Sequence, residues 1–256
     1  MDVADYIGYV TYEGDRFANA AEKGDLDVAI PACEGWDMRE LVRHLGLIHL
    51  WAAGNVAFPQ NDWFDATDLP GLAHYWPDLG GDWPADADLV AWYRKTLANL
   101  IRVLESAPAD VECFSFLPAP TPLTMWARRQ ASEIAIHRYD AEIARGVSGD
   151  FEVEFATDML DEVLAGFAPR PRTLELEDNR TIHVHAEDSG EHWHLTLGPE
   201  AITTSRTDAH ADLTLAGSAS DLYLLLWNRT ADSTVSTTGD TDLMNLWRGN
   251  FRVQWS

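Results

Sequence analysis

Basic residues are scarce in this chain: 18 Lys and Arg stand against 42 Asp and Glu over 256 residues, a formal net charge of −24. A surface this acidic repels phosphate backbones and anionic lipid headgroups, which argues against a nucleic-acid or membrane-surface partner. The imbalance is not confined to a tail, since residues 1–150 carry 24 acids and 11 bases and residues 151–256 carry 18 and 7. Cysteine is nearly absent. Cys33 and Cys113 belong to no CxxC pair and cannot build a disulfide scaffold, so a reducing compartment is the simpler expectation. No stretch approaches the roughly 18 uninterrupted apolar residues of a membrane span. The start, MDVADYIGYVTYEGD, has charges within its first five residues and no apolar run of signal-peptide length. The expected location is cytoplasmic. There is also no GxGxxG, no GxSxG and no P-loop, which argues against nucleotide binding and serine hydrolysis.

What is present is core-forming material: 46% hydrophobic residues, with 11 Trp, at a length that allows one large domain or two smaller ones. The first half reads as helices. Val3, Tyr6, Ile7, Val10, Phe17 and Ala21 recur at helical spacing from Asp2 to about Lys23. A second helix opens at Asp37-Met38-Arg39-Glu40, a capping-box spacing, and runs to a stop before Pro59. Residues 59–85 hold Pro59, Pro70, Pro77 and Pro84 and form a long irregular crossover, in which Trp63, Trp76 and Trp83 need something to pack on. A third helix covers about Ala87 to Ala107 and a fourth about Thr124 to Ala144, ended by Gly146. Four helices with one long crossover predict a bundle over residues 1–147.

The remainder changes character. After one more helix, about Glu152 to Phe167, the chain alternates through TIHVHAE, HWHLTLG, AITTSR and ADLTLAG, read as short antiparallel strands. The apolar helix SDLYLLLWNR, a strand at STVSTTG and a last helix TDLMNLWRG complete a small α+β domain with an antiparallel sheet, residues 150–256.

On the fourth helix Glu133 and His137 are four residues apart and project from one face. His44, on the second helix, lies among apolar residues, and a His from a neighbouring helix can meet such a pair inside a bundle. Two His and one carboxylate are a ligand set for catalytic zinc with one position open, and the set also suits iron or nickel. Ionisable groups among Leu41, Val42, Leu45, Ile134 and Ile136 are costly unless paired or metal-bound. Spacing alone leaves two other readings open: a solvated Glu–His pair, and a satisfied core histidine. His49 rivals His44, but about 140° further round the helix, so both cannot face one site.

The segments CEGWDMRELVRHLGLIHLWA and WARRQASEIAIHRYDAEIARG resemble the mycothiol-dependent maleylpyruvate isomerase family of the DinB-like superfamily, and the resemblance runs nearly end to end. It implies a DinB-like metal-binding four-helix bundle followed by a sterol carrier protein-like α+β domain. It also implies His44, Glu133 and His137 as ligands of a divalent metal, usually zinc, and mycothiol as thiol cosubstrate. The family's activity-supporting arginine matches Arg229 at the end of SDLYLLLWNR, where a guanidinium could clamp a substrate carboxylate or simply cap the helix. The implied chemistry is that of an isomerase or thiol S-transferase. A metal-activated thiolate adds to an electron-poor cis double bond, permits rotation and leaves again, or else displaces a leaving group on a small electrophilic, anionic substrate. Such a substrate on an acidic protein requires local positive charge at the site. Two other readings remain: a metal-dependent hydrolase, for which Asp140 is the one candidate base, and a non-catalytic apolar-ligand-binding module. A monomer or small homo-oligomer is expected.

Three weaker features complete the inventory. His183, His185, His192 and His194 share a hairpin, and a two-residue Ser189-Gly190 turn would set His185 across from His194; such a pair can bind metal weakly, but with no third fixed ligand a solvated sheet face is the expectation. Arg128-Arg129 reads as a surface ion-pairing segment, or else one that steers an anion toward Glu133. The two cysteines read as small packing residues.

Overall fold

The first long helices begin where a carboxylate can accept from the backbone. In the computed structural model, which describes residues 1–58, 65–66, 68–170 and 174–251, helix α1 (Val3–Ala21) opens with Asp5 N donating to Asp2 Oδ1 at 2.9 Å and Asp2 N donating to Asp5 Oδ2 at 2.7 Å. Helix α2 (Met38–Ala57) repeats the device between Asp37 and Glu40, both bonds at 3.0 Å, as the spacing predicts. The crossover is less irregular than expected. It contains the short helix α3 (Leu69–Ala73), capped by Asp68, and a 3-10 turn at Pro77–Leu79. Its aromatic residues find partners: Trp76 packs on Phe58, and Trp83 meets Trp92 edge-on at 5.7 Å. Pro59 and Trp63 lie outside the described residues. Helix α4 (Asp86–Ser106) follows, then α5 (Pro122–Ala144), capped by Thr121, with Pro122 at its first position and Gly146 at φ +73° beyond its end.

Helix α1 packs on α4 and α5, and α2 packs on the same two, so the four long helices close a ring around Phe17, Leu45, Tyr93, Leu100, Trp126 and Ile134. Gly46 allows the approach of α2 to α4, because a Cβ there would fall 2.0 Å from the Trp92 ring. Between α1 and α5 the contact is ionic as well as apolar. Arg138, fully buried, donates to Glu13 Oε2 at 2.5 Å and to Glu142 Oε2 at 2.8 Å, and Arg16 holds the same Glu142 from the rim.

The chain divides into two compact units, Met1–Gly149 and Asp150–Ser256. In the second, α6 (Val153–Asp161) continues into a π-helical stretch, Glu162–Phe167. Five strands follow: β1 (Arg180–Ala186), β2 (Glu191–Leu197), β3 (Ile202–Ser205), β4 (Leu213–Gly217) and β5 (Ser236–Gly239), in the order β3-β2-β1-β4-β5. Helix α7 (Ala219–Leu226) follows β4, and α8 (Asp242–Asn250) follows β5. Ile182, Val184, Trp193, Leu195, Leu213 and Leu215 are buried on one sheet face, the side that α7 covers.

Three details depart from the sequence reading. The sheet is mixed, because the connection from β3 crosses it and lays β4 parallel to β1. The strand expected from Ser233 begins only at Ser236, after a 3-10 turn at Asp232–Thr234. The β1–β2 turn takes four residues, so His185 pairs with His192 and His183 with His194. Its cause lies elsewhere in the chain: Glu187 N donates to Gly217 O and Asp188 Oδ1 accepts from Ala219 N, which draws both residues toward the start of α7.

Arg138 neutralises two buried carboxylates at once, and removing one partner of a buried ion pair costs about 3–5 kcal/mol. Arg138→Met is expected to lower the free energy of unfolding by that order, and Arg16→Ala, at the rim, by about 1 kcal/mol or less. Urea denaturation checks both; equal losses for the two would contradict this account.

Candidate metal centre

Helix α5 presents Gln130, Glu133 and His137 along one face, and α2 brings His44 against it. His44 Nε2 lies 3.0 Å from Glu133 Oε1, and His137 Nε2 lies 3.3 Å from the same oxygen. The two imidazoles meet edge to face, with ring centroids 5.1 Å apart. Three donor atoms thus converge from two helices, close enough to share one ion. The loop before α2 completes the surroundings. Ile30 N donates to Trp36 O and Trp36 N to Cys33 O, both at 2.9 Å, with Gly35 at φ +83° making the bend. That loop sets the Trp36 ring 5.0 Å from His44 and 6.5 Å from His137.

Two of the three candidate ligands, Glu133 and His137, are oriented from behind. Arg129 donates to Glu133 Oε2 at 2.6 Å, which leaves Oε1 to face the histidines. His137 Nδ1 donates to Asp140 Oδ2 at 2.9 Å, which turns Nε2 toward the site, the orientation usual for a metal-bound histidine. Cys33 Sγ is 3.7 Å from the same Asp140 oxygen. Glu133, His137, Arg129 and Asp140 are 4%, 6%, 2% and 1% exposed, so little water screens these charges.

Burial opposes charge on all three candidate ligands. For Glu133 it is outweighed by hydrogen bonds from His137 and His44 and by the Arg129 charge, so the carboxyl sits well below the usual carboxylate range. For His137 it is outweighed by Asp140, Cys33 and Glu133, which hold the imidazole well above its ordinary value. For His44 burial prevails and its pKa is lowered.

The structure places the other candidates as follows. His49 does not join the centre: its Nδ1 is 3.1 Å from Thr96 Oγ1, which itself donates to Tyr93 O. The hydroxyl proton is therefore in use, and His49 is a neutral core histidine with the proton on Nδ1. Arg129 is not the surface residue its sequence context suggests but is buried against Glu133, and Asp140, considered above as a base, stands behind His137. Cys33 is more than packing, since it touches that same carboxylate; only its position five residues before the His44 helix hinted at this. Gln130, one turn before Glu133, is buried, and neither carboxamide atom has a hydrogen-bond partner among the described residues. Arg229 belongs to the second unit and ends the turn after α7, with Arg229 Nη1 donating to Trp227 O at 2.8 Å.

A bundle with a buried two-histidine, one-carboxylate cluster, followed by a small α+β unit, defines a class of protein, and the comparisons agree on which. The model for the mycothiol maleylpyruvate isomerase N-terminal domain matches residues 10–142, and that for the MDMPI C-terminal domain matches residues 150–245. The chain belongs to the mycothiol-dependent maleylpyruvate isomerase family. No match is found among curated proteins. Among solved structures it is similar to the mycothiol-dependent maleylpyruvate isomerase, with TM-score 0.63 and 12% identity over 94% of this chain and 95% of that one. It is similar to a histidine-to-alanine mutant of that enzyme with TM-score 0.64, at the same identity and coverage. At this identity the likeness is one of fold. No helix among the described residues is long and apolar enough to cross a membrane.

The buried, neutral state of His49 has a pH consequence. Burial, with the neighbouring His44 charge, pushes its pKa down to about 3, whereas an unfolded histidine titrates near about 6.5. Its contribution is therefore intact above about pH 6.5 and is lost as pH falls through the window toward 3, at up to about 1.4 kcal/mol per pH unit. His49→Gln is expected to flatten the acid limb of stability between pH 6.5 and 5, read from urea midpoints; an unchanged slope would contradict the assignment.

Proposed function

We propose that the protein is a metal-dependent, mycothiol-using enzyme of the maleylpyruvate isomerase kind, an isomerase or thiol S-transferase for a small anionic electrophile, with His44, Glu133 and His137 as its metal ligands. The observation that carries this reading is the donor set itself: one carboxylate oxygen within 3.3 Å of two imidazole nitrogens. The far atoms, Glu133 Oε2 and His137 Nδ1, are already taken by Arg129 and Asp140. Such a set fits a divalent ion, zinc in the first place, with a position left for an exogenous ligand. Bound there, the ion supplies a Lewis acid that favours the thiolate form of a thiol near neutral pH.

The chain's own residues do the rest. Arg129 keeps the Glu133 carboxylate in one orientation, and Asp140 keeps His137 in the tautomer that presents Nε2. Trp36 covers the two imidazoles and limits access of water. Gln130 offers a donor and an acceptor, one helical turn from Glu133, to whatever binds beside the ligands. Arg229, the match to the family's arginine, serves as the clamp for a substrate carboxylate. The thiol reading is preferred to hydrolysis because Asp140, the base a hydrolase would need, is spent on His137 and Cys33.

Metal analysis of the purified protein tests this directly. His44→Ala, Glu133→Ala and His137→Ala are each expected to remove one equivalent of metal per chain together with turnover of maleylpyruvate in the presence of mycothiol. Asp140→Asn is expected to weaken metal binding about 10–100-fold. Triad variants that keep full metal content would sink the ligand assignment, and a metal-loaded wild type that neither isomerises maleylpyruvate nor transfers mycothiol would sink the substrate class. Arg229→Ala is expected to depress turnover with metal content unchanged; metal lost in proportion would make its role structural.

A further inference from the structure

The second unit carries its own cluster of donors, made up entirely of its own residues. On β1, His183 and His185 alternate with the buried Ile182, Val184 and Ala186, and on β2 His192 and His194 alternate with the buried Trp193 and Leu195. The register pairs His183 with His194 and His185 with His192, so all four imidazoles stand on the sheet face opposite the apolar one. They are ordered against each other. His185 and His192 stack at 4.1 Å, and His183 lies parallel to His192 within 2°, its Nε2 3.0 Å from His192 Nδ1.

A hairpin alone supplies no third ligand. The crossover that makes β4 parallel to β1 does, because residues 206–212 must pass over the sheet to reach the far side of β1. His194 Nε2 donates to His210 O at 3.3 Å and ties the crossover to the histidine face. Two residues earlier, Asp208 Oδ1 comes to 3.7 Å from His183 Nε2. Donors each about 2.1 Å from a common ion can be at most about 4.2 Å apart, and the separations of 3.0 and 3.7 Å satisfy that. The third pair lies within 4.8 Å, and the exposed Asp208 side chain can close the remainder.

We propose that His183, His192 and Asp208 form a second site, on the α+β unit, for a divalent transition-metal ion of the zinc, nickel and copper class, completed by water on the Asp208 side. Two neutral imidazoles sharing one hydrogen bond become two ligands when the shared proton moves to the other nitrogen of its own ring. That is a tautomer change with no change in charge. The stacked His185 and the tethered His194 restrict how far the ligating rings can turn, and the acidic surface draws cations toward the face.

Zinc titration of the chelator-stripped full chain tests the site, with Glu133→Ala/His137→Ala used to remove the bundle donors. That double variant is expected to bind one zinc per chain in calorimetry. Adding His192→Ala, at a half-exposed position, should weaken this binding at least about tenfold, and adding the exposed Asp208→Asn should weaken it too. In parallel, His192→Ala alone should hold one zinc fewer than wild type with an unchanged circular-dichroism spectrum, a comparison that stands even where the double variant folds poorly. A double variant that folds and binds no zinc, or zinc held as tightly after His192→Ala, overturns the proposal. Failure of the bundle reading looks different: the zinc would then survive the Glu133 and His137 substitutions in full and be lost only through the hairpin.

Discussion

A carboxylate buried in the middle of a helical bundle is the constraint around which the first unit is built. Glu133, 4% exposed, could not remain ionised without compensation, because an uncompensated buried charge costs several kcal/mol. Its compensation comes from three directions: Arg129 on the same helix one turn earlier, His137 one turn later, and His44 from α2. The first two follow from helical spacing. The third requires α2 and α5 to be in one register, and any slip of that pair would strand the charge. The site therefore helps to specify the packing that positions it.

Helix α5 does this twice. Turned away from the centre, Arg138 binds Glu13 on α1 and Glu142 one turn on, a second buried ionic contact adjacent in sequence to His137. The helix is thus enclosed by α1 and α2 through charged residues as well as apolar ones, and Arg129, Glu133, His137, Arg138, Asp140 and Glu142 are all buried. Polar contacts at both faces hold α5 in rotation about its axis more sharply than apolar packing alone, since hydrogen-bond geometry tolerates less displacement.

That arrangement explains which parts were legible in the sequence. Helices with caps and an apolar stripe, such as α1 and α2, announced themselves, as did strands whose alternation marks one buried face. The Glu133 and His137 spacing pointed to a shared face, and the preference for His44 over His49, loose on the residues alone, was the one the family pattern also made. What the sequence hid were the roles of residues whose partners come from elsewhere in the chain. Arg129 and Arg138 look like surface arginines because nothing local marks a charge as buried. Cys33 meets Asp140 only after a loop folds back, and Asp208 reaches His183 only because a crossover passes over the sheet. The hairpin register failed for the same reason: Asp188 is engaged by the start of α7, a contact that no turn rule contains.

The charge of the whole chain gives the centre a further property. An anionic substrate approaching a molecule of net charge −24 needs a locally positive destination. The side chains of the centre itself do not supply it, because Glu133 and Asp140 balance Arg129 and a protonated His137. A divalent ion held there in place of the His137 proton would leave one net positive charge in a low-dielectric interior, where it would act with little screening. In the proposed enzyme the metal therefore does more than activate a thiol. It would invert the sign of the centre relative to the surface, so that a loaded centre would add to whatever attraction Arg229 offers an anionic substrate.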